Sequence, residues 1–227
     1  MRYKTLLFDI DDTLLDFNAN ENQALARLFA SLGIKLTSEG QASYKQFNQS
    51  LWKRLELGEL SYEDLIANRF ISFFKQYFDL TVGPELNQRY LGYLAEGHQE
   101  VFGAKRLLRD LQLAGHELYV VTNGVKVVQE KRLTDAQLKP FFKGIYISEE
   151  VGYQKPNKKF FQNVFADIGD VDLNTTAIIG DSLSSDIKGG INSGISSIWF
   201  NPQKQQLPDK FQPDYQVSSL AEIKKIV

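Results

Sequence analysis

Thr5-Leu6-Leu7-Phe8-Asp9-Ile10-Asp11-Asp12-Thr13 decides how this chain folds. A short, uncharged apolar run meets three carboxylates within four positions. An apolar run with no alternation reads as a strand buried on both faces, the pattern of a parallel sheet covered by helices. In open sheets of that kind, ligands collect beyond the carboxyl ends of the strands. Carboxylates crowded at such an end repel one another unless a cation sits between them. A hard divalent ion with oxygen ligands suits them, and the geometry suits Mg²⁺.

Downstream the character changes twice. Residues 17–100 carry helical periodicity and almost no strand signal. Leu25, Leu28, Phe29 and Leu32 fall on one helical face. Helices are expected over Asn20–Leu32, Ser38–Leu57, Tyr62–Phe78 and Pro84–Glu96. Gly33 is expected to stop the first, with joints near Gly58, Gly83 and Gly97. From Gly103 onward strands and helices alternate. Expected strands are Glu117–Val121, Gly144–Ser148, Thr176–Ile179 and Ser196–Phe200. Expected helices are Lys105–Ala114, Val125–Gln137, Asn157–Ile168 and Ser184–Asn192, with Pro156 opening the third of these at its first position. A last strand and helix are expected within Asp214–Val227. Such alternation implies an α/β class with a Rossmann-like parallel sheet. The predicted organisation is a catalytic core of residues 1–16 and 101–227, with a helical cap, 17–100, inserted after the first strand.

The residues just past each apolar run carry the chemistry. Asp9, Asp11 and Asp12 come after the first, and Thr122-Asn123-Gly124 after the second. Lys155-Pro156 lies past the third, and Gly180-Asp181-Ser182 stands after the fourth, with Asp186 one turn on. Asp181 arrives from another strand end to complete the shell around a metal held by the first cluster. Thr122 and the amides of a tight turn suit phosphate oxygens, and Lys155 adds a point charge. A nucleophile, an acid/base, a metal and an anion clamp are the parts that phosphoryl transfer needs. Alone, a DxD is better read as an acidic surface turn, and Thr-Asn-Gly as a simple turn. It is the convergence of four strand ends that favours a site.

Bulk properties narrow the partners. At 227 residues the chain is long enough for one core with a modest insertion. A formal net charge of −2 gives no global attraction to nucleic acid or an anionic membrane. The absence of cysteine excludes disulfides, thiolate metal sites and cysteine nucleophiles, and suits a reducing, cytoplasmic setting. No signal peptide or apolar run of membrane-spanning length is expected. His98 and His116 are too far apart in the chain to suggest a ligand pair and are expected to be structural.

These motifs resemble those of the haloacid-dehalogenase superfamily. FDIDDTL resembles the first, VVTNG the second, YQKPN the third and IGDSLSSDI the fourth, in the family's order across essentially the whole chain. The helical insert resembles the family's type-one cap. More narrowly, YQKPNKKFF and GDSLSSDIKGG resemble the house-cleaning pyrimidine nucleotidases. The resemblance implies a Mg²⁺-dependent phosphatase acting on a small phosphate monoester. It implies Asp9 as nucleophile and Asp11 as general acid and base. Thr122, Asn123 and Gly124 would hold phosphate, with Lys155 screening charge. Asp9, the Asp11 carbonyl and Asp181 would hold Mg²⁺, with Ser182 behind them and Asp186 supporting either the metal site or Lys155. Asp12 departs from the glycine common at its place. Phe17 and Asn18, beside the cap hinge, are the expected substrate contacts. Asp11 argues against the dehalogenase branch, which lacks that second aspartate; a sugar-phosphate phosphatase or phosphomutase remains the alternative.

Overall fold

A computed structural model describes residues 2–227. Six parallel strands form one sheet: β1 (Thr5–Phe8), β2 (Glu117–Thr122), β3 (Gly144–Ile147), β4 (Thr176–Gly180), β5 (Ser196–Phe200) and β6 (Tyr215–Val217), in the order β3-β2-β1-β4-β5-β6. The order reverses at β1, so the crevice between the carboxyl ends of β1 and β4 is the switch point at which such sheets bind ligands.

Alternation along the strands sorts side chains to two faces. Leu6, Phe8, Leu118, Val120, Ala177 and Ile179 pack with Leu107, Leu108 and Leu111 of α5 (Ala104–Leu113) and Leu220 and Ile223 of α10 (Leu220–Ile223). Leu7, Tyr119, Val121 and Ile178 pack instead on Phe160, Phe161 and Val164 of α8 (Lys158–Ile168). Burying each such Leu or Phe contributes about 1.5–3 kcal/mol. Helices on both faces explain why β1 is apolar throughout.

The chain divides into two compact units, one running to Phe17 and resuming at His98, the other Asn18–Gly97. The expected boundary was 17–100. The two connecting segments pair inside the first unit, where Leu15 and Glu100 form an antiparallel bridge and Asp16 N–H donates to Gln99 O at 2.9 Å. That pairing ties Gln99 and Glu100 to the α/β unit.

The second unit is helical, with α1 (Phe17–Ser31) entering it, then α2 (Ser38–Glu56), α3 (Tyr62–Phe78) and α4 (Glu85–Glu96). Thr37 and Ser61 cap α2 and α3 by accepting from Gly40 N–H and Asp64 N–H, as their residue types favour. An aromatic cluster fills the unit, with Tyr44 stacked on Phe70 at 5.2 Å and edge-on to Phe73 at 5.1 Å.

Several expectations needed correction. Helix α6 is Lys126–Asp135, shorter than Val125–Gln137. Ser148–Val151 forms a short helix, α7, where none was expected. The stretch Ser184–Asn192 is not one helix: a π-helical turn, Leu183–Ile187, precedes α9 (Lys188–Ser193). Pro156 is not the first residue of α8, because Asn157 caps that helix through its side chain. His116 is buried, with Nδ1 2.7 Å from Tyr3 O, as a structural histidine would be. Among the described residues no helix is long and apolar enough to cross a membrane.

Candidate active site

Asp9 stands just past β1, and its N–H donates to Ile179 O of β4 at 2.9 Å, so its backbone is pinned across the switch point. Its carboxylate is buried and accepts from Lys155 Nζ at 2.7 Å. The same ammonium donates to Asp186 Oδ1 at 2.7 Å and Val121 O at 2.8 Å, which uses all three of its donors. Asn123 holds Lys155 in place by a reciprocal backbone clasp, Nδ2 donating to Lys155 O at 2.9 Å and Oδ1 accepting from Lys155 N–H at 2.8 Å.

Carboxylate oxygens of Asp9, Asp181 and Asp186 lie within 4.8 Å of one another. Asp186 is fully buried, and its other oxygen accepts from Ser182 N–H at 3.0 Å. Gly180 makes room for it: a Cβ there would stand 2.2 Å from Asp186 Cγ. Asp181 comes from the end of β4, with its carbonyl accepting from Trp199 Nε1 at 2.8 Å. Thr13 Oγ1 donates to Asp181 Oδ1 at 3.4 Å.

Charge at this cluster is out of balance. Burial pushes the Asp9 carboxyl up to about 8, with Asp186 and Asp11 adding to the rise and Lys155 opposing it. Burial likewise raises Asp181 well above the usual carboxylate range, helped by Asp9 and Asp186. Burial alone would lower Lys155, but Asp186 and Asp9 raise it. One ammonium does not neutralise three close carboxylates, so an ionised Asp9 calls for further positive charge. An all-oxygen donor set suits a hard divalent ion such as Mg²⁺.

Asp11 is half-buried, and its carboxylate is held differently: Oδ1 accepts from Arg132 Nη1, and Oδ2 from Gln129 Nε2 at 2.6 Å. Thr122 Oγ1 accepts from Gly124 N–H at 3.0 Å and Gln129 Nε2 at 3.2 Å. The Gly124 amide therefore serves Thr122 in this structure. Phe17 lies under Arg132, the guanidinium carbon 5.8 Å from the ring centroid. Asn18, in the helical unit, accepts from Lys45 Nζ.

The model of the haloacid dehalogenase-like hydrolase family matches residues 3–194. The chain belongs to that family. Among its relatives is the HAD-hydrolase YfnB of Bacillus subtilis, 44% identical over 100% of this chain and 96% of that one. A crystal structure of YfnB bound to magnesium matches with a TM-score of 0.93 at 43% identity, covering 100% and 99% of the two chains. The pyrimidine 5′-nucleotidase PynA of Streptococcus pneumoniae is 39% identical over 98% of this chain and 94% of its own. YjjG of Escherichia coli, also named a pyrimidine 5′-nucleotidase, is 32% identical over 100% and 99%.

In this hydrolase, the expected Asp9, Asp181, Asp186, Ser182, Lys155 and Asn123 form one connected group, and Asp11, Thr122 and Gly124 meet through Gln129. Asp12 adopts a left-handed φ of 57°, the conformation that favours glycine at its place and that aspartate tolerates. Gln129 and Arg132 were not anticipated. Their signal was present: both lie on the α6 face shared with Val128 and Leu133 and are buried with them. A polar residue on an apolar face has a partner to find.

Proposed function

We propose that the protein is a Mg²⁺-dependent phosphomonoester hydrolase working through a phosphoaspartate at Asp9. The observation that carries this is a buried Asp9 fixed by Lys155 at 2.7 Å, with the oxygens of Asp181 and Asp186 within 4.8 Å, at the sheet's switch point. Asp9 attacks phosphorus; the new O–P bond forms as the bond to the leaving oxygen breaks. Asp11 gives that oxygen its proton, then takes one from the water that attacks the phosphoenzyme, releasing phosphate and restoring Asp9. Thr122 orients the phosphoryl oxygens, and Lys155 screens Asp9 against them. Mg²⁺, which Asp9, the Asp11 carbonyl and Asp181 would hold with Asp186 behind, supplies the rest of the neutralisation.

Nucleoside 5′-monophosphates, pyrimidine ones foremost, are the proposed substrates, supported by the names of PynA and YjjG. The helical unit would act as the cap that selects among them. Phosphate release across nucleotides and sugar phosphates, with Mg²⁺ or excess chelator, tests the whole. Expected are release from pyrimidine nucleotides, its loss in chelator and its return with Mg²⁺. Isomerised sugar phosphate without free phosphate would favour a mutase, and full turnover in chelator would remove the metal.

A further inference from the structure

Gln129 and Arg132 stand three positions apart on α6, both buried, Arg132 with no exposed surface. Burying a guanidinium is a poor way to gain stability, because desolvation rivals the Coulombic return and an apolar side chain often serves as well. Arg132 Nη1 donates to Asp11 Oδ1, and to Gln129 Oε1 at 3.1 Å. A guanidinium offers only donors, so the Gln129 carbonyl must face it. That places the Gln129 amino group toward Asp11 Oδ2, at 2.6 Å, and Thr122 Oγ1, at 3.2 Å. Thr122 Oγ1 accepts from Gly124 N–H as well, at 3.0 Å. With both acceptor positions filled, its own proton is left to point at an external acceptor. Gly124 completes the device: a Cβ there would stand 2.1 Å from Gln129 Nε2.

We infer that Arg132 and Gln129 are a positioning pair, one orienting the other so that Asp11 and Thr122 are aimed together at the two ends of the bond to be broken. The inference rests on the roles given to Asp11 and Thr122 in the proposed function. Neither residue touches substrate; they act through the groups they hold.

Leaving-group dependence is a readout that a merely structural role would not move. An alkyl phosphate needs a proton at its departing oxygen; p-nitrophenyl phosphate does not. The ratio of kcat/KM for a nucleoside 5′-monophosphate to that for p-nitrophenyl phosphate, with Mg²⁺ present, reports only steps up to leaving-group departure. It therefore isolates Asp11 as acid. General acid–base assistance is worth roughly 10²–10⁴-fold. Asp11→Asn should lower the ratio by about that much. Gln129→Leu and Arg132→Lys should lower it by about tenfold, and Gly124→Ala, which only displaces the Gln129 amide, by less, all within the assistance Asp11 provides. Circular dichroism and melting show that each variant is folded, and Gly124→Ala with Arg132→Lys decides the matter if Gln129→Leu is not. If Asp11→Asn shifts the ratio while the folded pair variants lose both esters equally, or neither, the pair has no positioning role and the assignment of Asp11 stands. If Asp11→Asn leaves the ratio unchanged, Asp11 is not the acid, and the proposed function and this inference fall together.

Discussion

Arg69 in the helical unit and Lys155 in the α/β unit are both buried cations, and they are treated in opposite ways. Arg69, on α3 of the helical unit, donates to Asn48 Oδ1 at 3.3 Å and Asn87 Oδ1 at 2.6 Å, and lies 4.9 Å from the ring centre of Tyr90. Asn48 passes the contact to the buried Glu21, whose Oε1 accepts from it at 3.0 Å. One base faces one acid through neutral amides and aromatic faces, and the charge is closed. Lys155 in the α/β unit faces Asp9 and Asp186 directly, with Asp181 beside them. There the convergence of strand ends leaves the charge open. Burial does not distinguish a structural ion from a working one; the local charge balance does.

The largest effect expected from testing that contrast is at Asp9. Asp9→Asn should lose on the order of 10³-fold or more in phosphate release, while its melting temperature holds, since a crowded carboxylate becomes neutral. Retained turnover would break the comparison. Arg69→Met should do the reverse. Leaving Glu21 and two amides without their cation should cost about 3 kcal/mol in urea unfolding, with kcat per folded molecule unchanged. A fall in kcat at constant stability would mean the helical unit's ion is not merely structural.

A subtler test is Asp186→Asn, which keeps the shape around Lys155 but removes one negative charge from the open cluster. Mg²⁺ affinity, read by calorimetric titration, should weaken by about 10–100-fold, with some loss of stability, because the amide sets a donor against Ser182 N–H or Lys155 Nζ where the carboxylate accepted from both. Unaltered affinity would place the metal away from this residue. The smallest effects belong to Phe17→Ala and Asn18→Ala. They should shift the preference between nucleotides and sugar phosphates by about tenfold or less. Equal changes for every substrate would assign them to packing.

Most of the α/β sheet was legible because its signals are local. A buried parallel strand needs an apolar run, and Thr5–Phe8, Thr176–Gly180 and Ser196–Phe200 carry one. Glycines marked helix ends, as Gly33 and Gly58 show, each with the positive φ that glycine tolerates. Boundaries slipped where tertiary contacts overrode local pattern, at the paired segments around Leu15 and Glu100 and at the π-helical turn that carries Asp186 inward.

By itself the sequence determined which residues stand at strand ends and so which acids, hydroxyls and cations a site could draw on. Strand periodicity and the order of βα units depend on near neighbours, and near neighbours are written in order along the chain. Only the tertiary structure decided that Asp186 lies within reach of Asp9 and Asp181. It alone showed that Asn123 clasps the Lys155 backbone, and that Arg132 turns inward to Asp11 rather than out to solvent. Those pairings join residues far apart in the chain, 121 positions in the case of Asp11 and Arg132. No window along the chain contains both partners of such a contact, and the desolvation that gives each its charge state exists only once the sheet has closed around it.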